Sequence, residues 1–303
     1  MIRPVLAWLL GTLLIPSSAL AQVCSADPVA MQILGSGGPA INRDRASTSY
    51  LLWIGPQARI LVDIGGGAFL RYGQAQAKLS DLSLIALSHF HPDHVSDLPA
   101  LLWLSSFTRK DRLPIAGPSG NDLVPDLPTF LSRLFDERSG AFQVLGTALG
   151  ASPMPGVGAA VPLDVSVVDV ARAEPSKVFD RDGITVTALG IPHGRIPTLA
   201  YRVQTRNLTI VFSSDQNGTD PKVIDFARGA NMLVMHLAIA AGASTPLHAS
   251  PAEVGRVAQE AGVGRLVLSH IGQFDLDAAV AHVRKSYSGA LTIGADLQCT
   301  QLQ

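Results

Sequence analysis

The run Ser88-His89-Phe90-His91-Pro92-Asp93-His94 sets four metal-ligating side chains, His89, His91, Asp93 and His94, within six positions. The chemistry such a cluster can do is the binding of a divalent cation. Neutral imidazole and carboxylate oxygen suit zinc, and the same ligand types leave iron or manganese open. His89 and His91 are two apart, so a strand carrying both would project the two rings to one face. Pro92 cannot continue a strand ladder, and the chain then turns so that Asp93 and His94 approach the same place from a second direction. The outcome is two ligand pairs, enough to seed two ions. A histidine-rich surface loop is the plain alternative, and the apolar strand-length run Leu82 to Ser88 just before the histidines argues against it.

The elements that must position this cluster are legible as short apolar runs. Strand-like segments fall at 29 to 35, 48 to 54, 59 to 64 and 82 to 89, followed by a helical stretch near 97 to 107. A second half repeats the pattern, with strands near 184 to 191, 199 to 204, 208 to 213, 231 to 236 and 265 to 269 and helices near 251 to 261 and 274 to 287. Residues 139 to 163 carry no charge and are rich in Gly, Ala and Pro, so they read as an insertion or irregular loop. Either that loop forms an apolar cover over the metal cluster with Trp103 and Phe107, or it packs on the flank of the fold. No internal repeat is readable.

The histidine run resembles the signature of the metallo-β-lactamase superfamily, closest to its ribonuclease Z and arylsulfatase-like branches. Supporting turns come in the family's order: Gly35-Ser36-Gly37-Gly38-Pro39, the strand Ile60-Leu61-Val62-Asp63-Ile64-Gly65, and Leu98-Pro99-Ala100-Leu101 after the metal motif. The resemblance implies a layered α/β fold, a four-layer αββα sandwich of two mixed sheets with outer helices and the metals at one edge between the sheets. It also implies the rest of the ligand set: His193 in Ile191-Pro192-His193-Gly194, Asp215 closing the strand Val211 to Asp215, and His270 closing Leu266 to His270. On that reading His89, His91 and His193 hold one metal, Asp93, His94 and His270 hold the other, and Asp215 bridges. Two zinc ions so held lower the pKa of a water between them and supply hydroxide as nucleophile, which Asp93 could orient. Asp63 is a candidate to hold the other ring nitrogen of a ligand histidine, or else a turn residue.

Branch features narrow the activity. Lactam-hydrolysing members usually carry cysteine or serine where this chain has Asp215, so the carboxylate points to phosphodiester, sulfate-ester, lactone or thioester hydrolysis. His248-Ala249-Ser250 resembles a ribonuclease Z motif. Ser250, Pro251 and Glu253 fit the N-cap, N1 and N3 of a helix, which would set His248 beside the metals to protonate a leaving group. Two departures stand against a transfer-RNA enzyme. Leu237 occupies the place of the family's glutamate after His236, and the interval from Gly194 to Ser214 is too short for an RNA-gripping arm. His236 and His282 are left outside the ligand set.

Composition and leader complete the expectation. Met1 to Ala21 has Arg3 near its start, an apolar stretch and an Ala19-Leu20-Ala21 end, the pattern of a cleavable secretory signal too short to anchor the chain in a membrane. Residues 22 to 303 then form one hydrolase domain in the periplasm or outside the cell. Cys24 and Cys299, near opposite ends of the mature chain, are candidates for a disulfide there. The formal charge is -1, or -2 once Arg3 leaves with the leader, which offers no general attraction to nucleic acid. The expected protein is thus an exported dinuclear zinc hydrolase of a small ester, phosphodiester or aryl sulfate, with no nucleic-acid partner. The alternatives are a lactonase, a β-lactamase-like hydrolase, or a non-catalytic metal-binding protein on the same scaffold. Oligomeric state is left open.

Overall fold

Alternation along the strands sorts side chains between an inner and an outer layer. In β1 (Val29–Gly35), Val29, Met31 and Ile33 face the core between the sheets while Ala30 and Leu34 face a separate outer cluster. The computed structural model describes Cys24 and residues 28–302. The expected signal segment, Met1 to Ala21, lies outside the described residues.

The first sheet continues through β2 (Ser49–Ile54), β3 (Gln57–Val62), β4 (Leu84–Ala86), β5 (Leu113–Pro118) and β6 (Leu163–Val168). Its helices are α1 (Ala68–Gln74), the single turn α2 (Pro92–Val95), α3 (Leu98–Thr108) and α4 (Leu127–Phe135). The second sheet begins with β7 (Ser176–Arg181), β8 (Ile184–Ile191), β9 (Thr198–Thr205) and β10 (Leu208–Phe212). It then alternates α5 (Pro221–Ala227), β11 (Met232–His236), α6 (Pro251–Ala261), β12 (Arg265–Ser269), α7 (Leu276–Ser286) and β13 (Ala290–Ile293). The last strand, β14 (Cys299–Leu302), returns to the first sheet.

The sheets run β14-β1-β2-β3-β4-β5-β6 and β13-β12-β11-β10-β9-β8-β7. Both are mixed: β3 to β6 are parallel, as are β10 to β13, and the remaining pairs are antiparallel. Parallel strands covered on both faces must be apolar throughout, and β11 is buried at every position. Met232 and Val234 point into the core between the sheets, Leu233 and Met235 into the cluster formed with α5, α6 and α7. Two inner sheets and two outer helical layers give the four-layer sandwich. Parallel strands end on one edge, where loops rather than ladders take over, and such edges are where ligands bind in open α/β sheets.

Several elements differ from the sequence expectation. The strand read over 82 to 89 is only three residues long, Leu84–Ala86, although Leu82 and Leu87 on either side are also buried. Strands β5, β6, β7, β13 and β14 and helices α1, α4 and α5 were not anticipated; all are short, although α4 buries Leu127, Leu131 and Phe135 at helical spacing behind an Asp126 cap. Residues 139 to 163 pack on the flank. Leu145, Ala148, Ala160 and Val161 are buried in the outer cluster with residues of α3 and α4, and the Ser105 hydroxyl of α3 accepts from the Val161 N–H at 2.8 Å. Cys24 and Cys299 form a disulfide that closes a loop with a sequence separation of 275, a cross-link worth about 2–5 kcal/mol through restriction of the unfolded chain.

Candidate metal centre

The site is built from strand ends. Asp63 follows β3, His89 follows β4, His193 follows β8, Asp215 follows β10 and His270 follows β12. Asp63, Ser214 and His270 have left-handed backbones, φ 56°, 51° and 49°. Non-glycine residues avoid that region unless the surroundings enforce it. Here it swings the chain out of the ladder, so that Ser214 delivers Asp215 to the cleft while Asp63 and His270 themselves stand at the turns.

His89 and His91 do not share a strand face, since β4 stops at Ala86 and both rings belong to the loop before α2. They converge all the same, using different nitrogens: His89 Nε2 lies 3.0 Å from His91 Nδ1, and His193 Nε2 lies 3.4 Å from His91 Nδ1. Asp215 Oδ2 is 3.7 Å from His89 Nε2 and 3.5 Å from His193 Nε2. These four side chains form one group whose donor atoms lie within 4.8 Å of one another. Asp93, His94 and His270 form a second. In that group Asp93 Oδ2 is 3.1 Å from His270 Nε2 and 3.6 Å from His94 Nε2. Asp215 touches it as well, with Oδ1 3.4 Å from His270 Nε2 and Oδ2 3.6 Å from His94 Nε2.

The far side of several rings is fixed by a neighbour. His94 Nδ1 meets Asp63 Oδ2 at 2.8 Å, and the same carboxylate accepts from the Ser88 N–H and hydroxyl. His193 Nδ1 donates to the Leu247 carbonyl at 2.7 Å, and His89 Nδ1 sits 3.0 Å from the Ser88 hydroxyl. Each contact leaves the opposite nitrogen facing the cluster as a lone-pair donor, the arrangement metal-ligating histidines adopt. His94 Nε2 is buried without a hydrogen-bond partner, and three imidazole nitrogens face one another around His91. Buried polar atoms without partners are costly; a cation among them relieves that cost, so the donor set fits a divalent metal.

Electrostatics follow from the same crowding. Burial, reinforced by His94, holds His89 well below its usual range. Burial likewise lowers His91 and His193. For His94 burial opposes charge, but the Asp63 and Asp215 carboxylates outweigh it and raise the ring's pKa well above the usual range. Burial would raise Asp215, yet His270, His94 and His236 pull its carboxyl well below the usual range. Asp93 is also lowered, the His270 bond and the nearby imidazoles outweighing its burial. The acids therefore stay ionised.

Glycines make room for this packing. A Cβ on Gly38 would sit 2.7 Å from His270 Cε1, and one on Gly65 would sit 2.1 Å from the Asp93 carbonyl oxygen. The glycine turns singled out in the sequence are thus contact points of the site. His248 lies just before α6, whose Ser250 and Glu253 form a full capping box. Its Nδ1 is 3.9 Å from Asp215 Oδ1 and has no hydrogen-bond partner. Burial takes the His248 ring down to about 4. Sequence reasoning set His236 aside as a pocket or packed strand-end residue, and the structure places it, buried, at the end of β11. Tyr50 and Ser88 were passed over; Ser88 stood beside the motif and could have been found, and Tyr50 has no local signal.

Residues 58–271 match the family described as Beta-lactamase superfamily domain. Ribonuclease Z of Mycolicibacterium paratuberculosis is 30% identical over 300 residues, covering 90% of this chain and 98% of its own length. Among solved structures, the metallo-beta-lactamase fold protein YhfI from Bacillus subtilis has a TM-score of 0.70 at 21% identity, covering 90% of this chain and 100% of its own. Human tRNase Z, short form, has a TM-score of 0.68 at 19% identity, covering 90% and 99%.

These likenesses correct one expectation. A small-ester partner and the exclusion of nucleic acid do not stand against near full-length similarity to ribonuclease Z. The exclusion leaned on net charge, which averages the whole surface and is silent about a few cations beside a cleft, and on two local departures, Leu237 and the short interval from Gly194 to Ser214, which that similarity outweighs. The chain belongs to the beta-lactamase superfamily, in its ribonuclease Z branch, and is a divalent-metal hydrolase.

Proposed function

We propose that this chain is a dinuclear zinc phosphodiesterase that cleaves a phosphodiester bond in RNA. The observation that carries the reading is the meeting of two ligand groups on one carboxylate, Asp215, whose oxygens lie 3.4 to 3.7 Å from nitrogens of both groups. Nitrogen and carboxylate donors suit zinc. Held by the two groups, two such ions would supply hydroxide at neutral pH and would neutralise charge on the phosphoryl oxygens.

The chain's own residues do the rest. Asp93, ionised and facing the cleft, accepts a hydrogen bond from the attacking water and fixes its direction. His248 is the general acid for the leaving oxygen, placed by the α6 cap; with Leu237 in place of a glutamate, Asp215 is the nearest carboxylate to its ring among the described residues. A cavity of about 360 Å³ shares His193 with the first ligand group and is lined by Arg172, Arg195 and Lys222 as well as Asp220. Those cations are suited to the phosphates beside the scissile bond, which compensates for the short β9–β10 hairpin where an arm would lie. The Cys24–Cys299 bond supports maturation in an oxidising compartment, so the enzyme acts in the periplasm or outside the cell.

The test is cleavage of a transfer-RNA precursor, an unstructured RNA and DNA of the same sequence by zinc-loaded protein. At least one RNA is expected to be cut, with loss of activity on chelation and in Asp93→Ala. Failure to cut any RNA while holding two zinc ions overturns the reading; equal cutting of the DNA removes its RNA part.

A further inference from the structure

His236 closes β11 in the second sheet, and Tyr50 lies in β2 of the first. Both are buried, and they meet across the core: the Tyr50 hydroxyl is 3.1 Å from His236 Nε2. On its other side His236 Nδ1 bonds Asp215 Oδ1. The His236 ring stacks on His270, centroids 4.5 Å apart and planes at 12°, and Tyr50 packs on Phe212 at 5.4 Å. By spacing alone, Asp215, His236 and His270 could also hold a metal. His236 is therefore either a ligand or a holder of one.

Proton positions decide between the two. A carboxylate only accepts, so Nδ1 of His236 carries the hydrogen. A neutral imidazole has one N–H, so Nε2 presents a lone pair and the Tyr50 O–H must donate to it. Burial keeps the phenol protonated, shifting Tyr50 far above its usual range. Both nitrogens of His236 are then engaged, and neither is free for a cation. Oδ1 of Asp215, the oxygen nearer His270, is pinned, while Oδ2 faces His89, His193 and His94.

We propose that Tyr50 and His236 form a hydrogen-bonded strut, anchored in the opposite sheet, that positions the bridging carboxylate of Asp215, and that His236 is a positioning residue and not a metal ligand. The proposal rests on the reading of the two ligand groups as a dinuclear centre. It adds a residue from the first sheet to the orientation of a carboxylate in the second, so the spacing between sheets is felt at the metal centre.

Competition against a chromophoric chelator measures affinity for each zinc equivalent in Tyr50→Phe, His236→Asn, His236→Leu and the Tyr50→Phe/His236→Asn double variant, with circular dichroism to confirm folding. Asparagine keeps a donor near the Nδ1 position and loses the reach to Tyr50. Expected are two equivalents in every variant, with the weaker one loosened about 10-fold in Tyr50→Phe and in His236→Asn and about 10–100-fold in His236→Leu. The double variant is expected to equal either single one, because both break the same link. Outright loss of one equivalent in His236→Leu beside wild-type affinities in Tyr50→Phe makes His236 a ligand and overturns the proposal. Wild-type affinities throughout also overturn it. If the wild-type protein binds a single equivalent, the dinuclear reading fails, and the strut is judged on that equivalent by the same ratios.

Discussion

His94 Nδ1 and Asp63 Oδ2 lie 2.8 Å apart with both side chains buried, and Asp63 reaches that position from a left-handed backbone at the end of β3. The contact orients the ring and turns His94 Nε2 toward Asp93 and Asp215. It also ties β3 to the loop after β4, since Asp63 accepts twice from Ser88. Asp63→Ala removes all of this at once. The variant should bind the second metal equivalent about 10–100-fold more weakly. Asp63→Asn, which tolerates the same backbone and keeps an acceptor, should lose less. Metal content after dialysis against graded chelator checks both, and equal retention by wild type and Asp63→Ala would show that His94 needs no such support.

The crowding of imidazoles predicts how the metal-stripped protein responds to acid. His89, His91, His193, His236 and His248 are all shifted below the ordinary 6.5, His236 to about 3 and His248 to about 4, burial being the first cause in each case. For such groups the unfolded chain takes up protons that the folded chain refuses, so their effect is loss of stability as pH falls below about 6.5. His94 has the opposite sign: its raised folded value stabilises below 6.5 and that contribution is lost as pH rises through it. Five groups act on the acid side and one on the basic side. Urea midpoints of chelated protein should therefore be lower at pH 5 than at pH 7. An equal or higher midpoint at pH 5 contradicts the burial assigned to these rings.

What the sequence made readable was the part of the site written in adjacent residues. His89, His91, Asp93 and His94 announce themselves by spacing, whereas His193, Asp215 and His270 were reached only through the family resemblance. The α6 cap was legible because Ser250, Pro251 and Glu253 are local signals with fixed offsets. The pairing of Tyr50 with His236 was not, the two being separated by 186 positions and joined only when two sheets stack. The flank segment 139 to 163 could be recognised as irregular, but its packing under α3 depends on a hydroxyl, Ser105, that is unremarkable in sequence. Strand β5 was hidden by the prolines at its second and last positions, which local propensity counts against a strand and which this sheet accommodates.

Basic side chains around the cavity beside His193 should govern RNA affinity more than chemistry. Arg195 is already paired with Asp122 at 2.8 Å, so Arg172 and Lys222 are the better probes. Arg172→Ala/Lys222→Ala is expected to raise KM for RNA several-fold with little change in kcat, and to lower the slope of log affinity against log salt by about one to two, as two phosphate contacts would. Steady-state kinetics at three salt concentrations measure this. An unchanged KM and salt slope would send the search for the RNA-binding surface elsewhere.

His248 can be separated from the metal ligands by the leaving group. A ribose oxygen leaves poorly without a proton, whereas a nitrophenolate needs none. If His248 delivers that proton, His248→Ala should lower kcat for RNA by about 10²–10⁴, while turnover of bis(4-nitrophenyl) phosphate falls far less. Zinc content should stay at the wild-type value, because the nearest metal-facing atom of Asp215 lies 3.9 Å from the His248 ring and is held independently by His236. Loss of zinc in the variant would place His248 among the ligands. Equal loss on both substrates would make it a residue that positions the phosphate. The low value of about 4 for its ring adds a second check: a group with that value is mostly unprotonated at pH 7, so its share in the rate should grow as pH falls from 7 toward 5. The RNA rate ratio of wild type to His248→Ala, taken at matched zinc occupancy, should therefore widen over that interval.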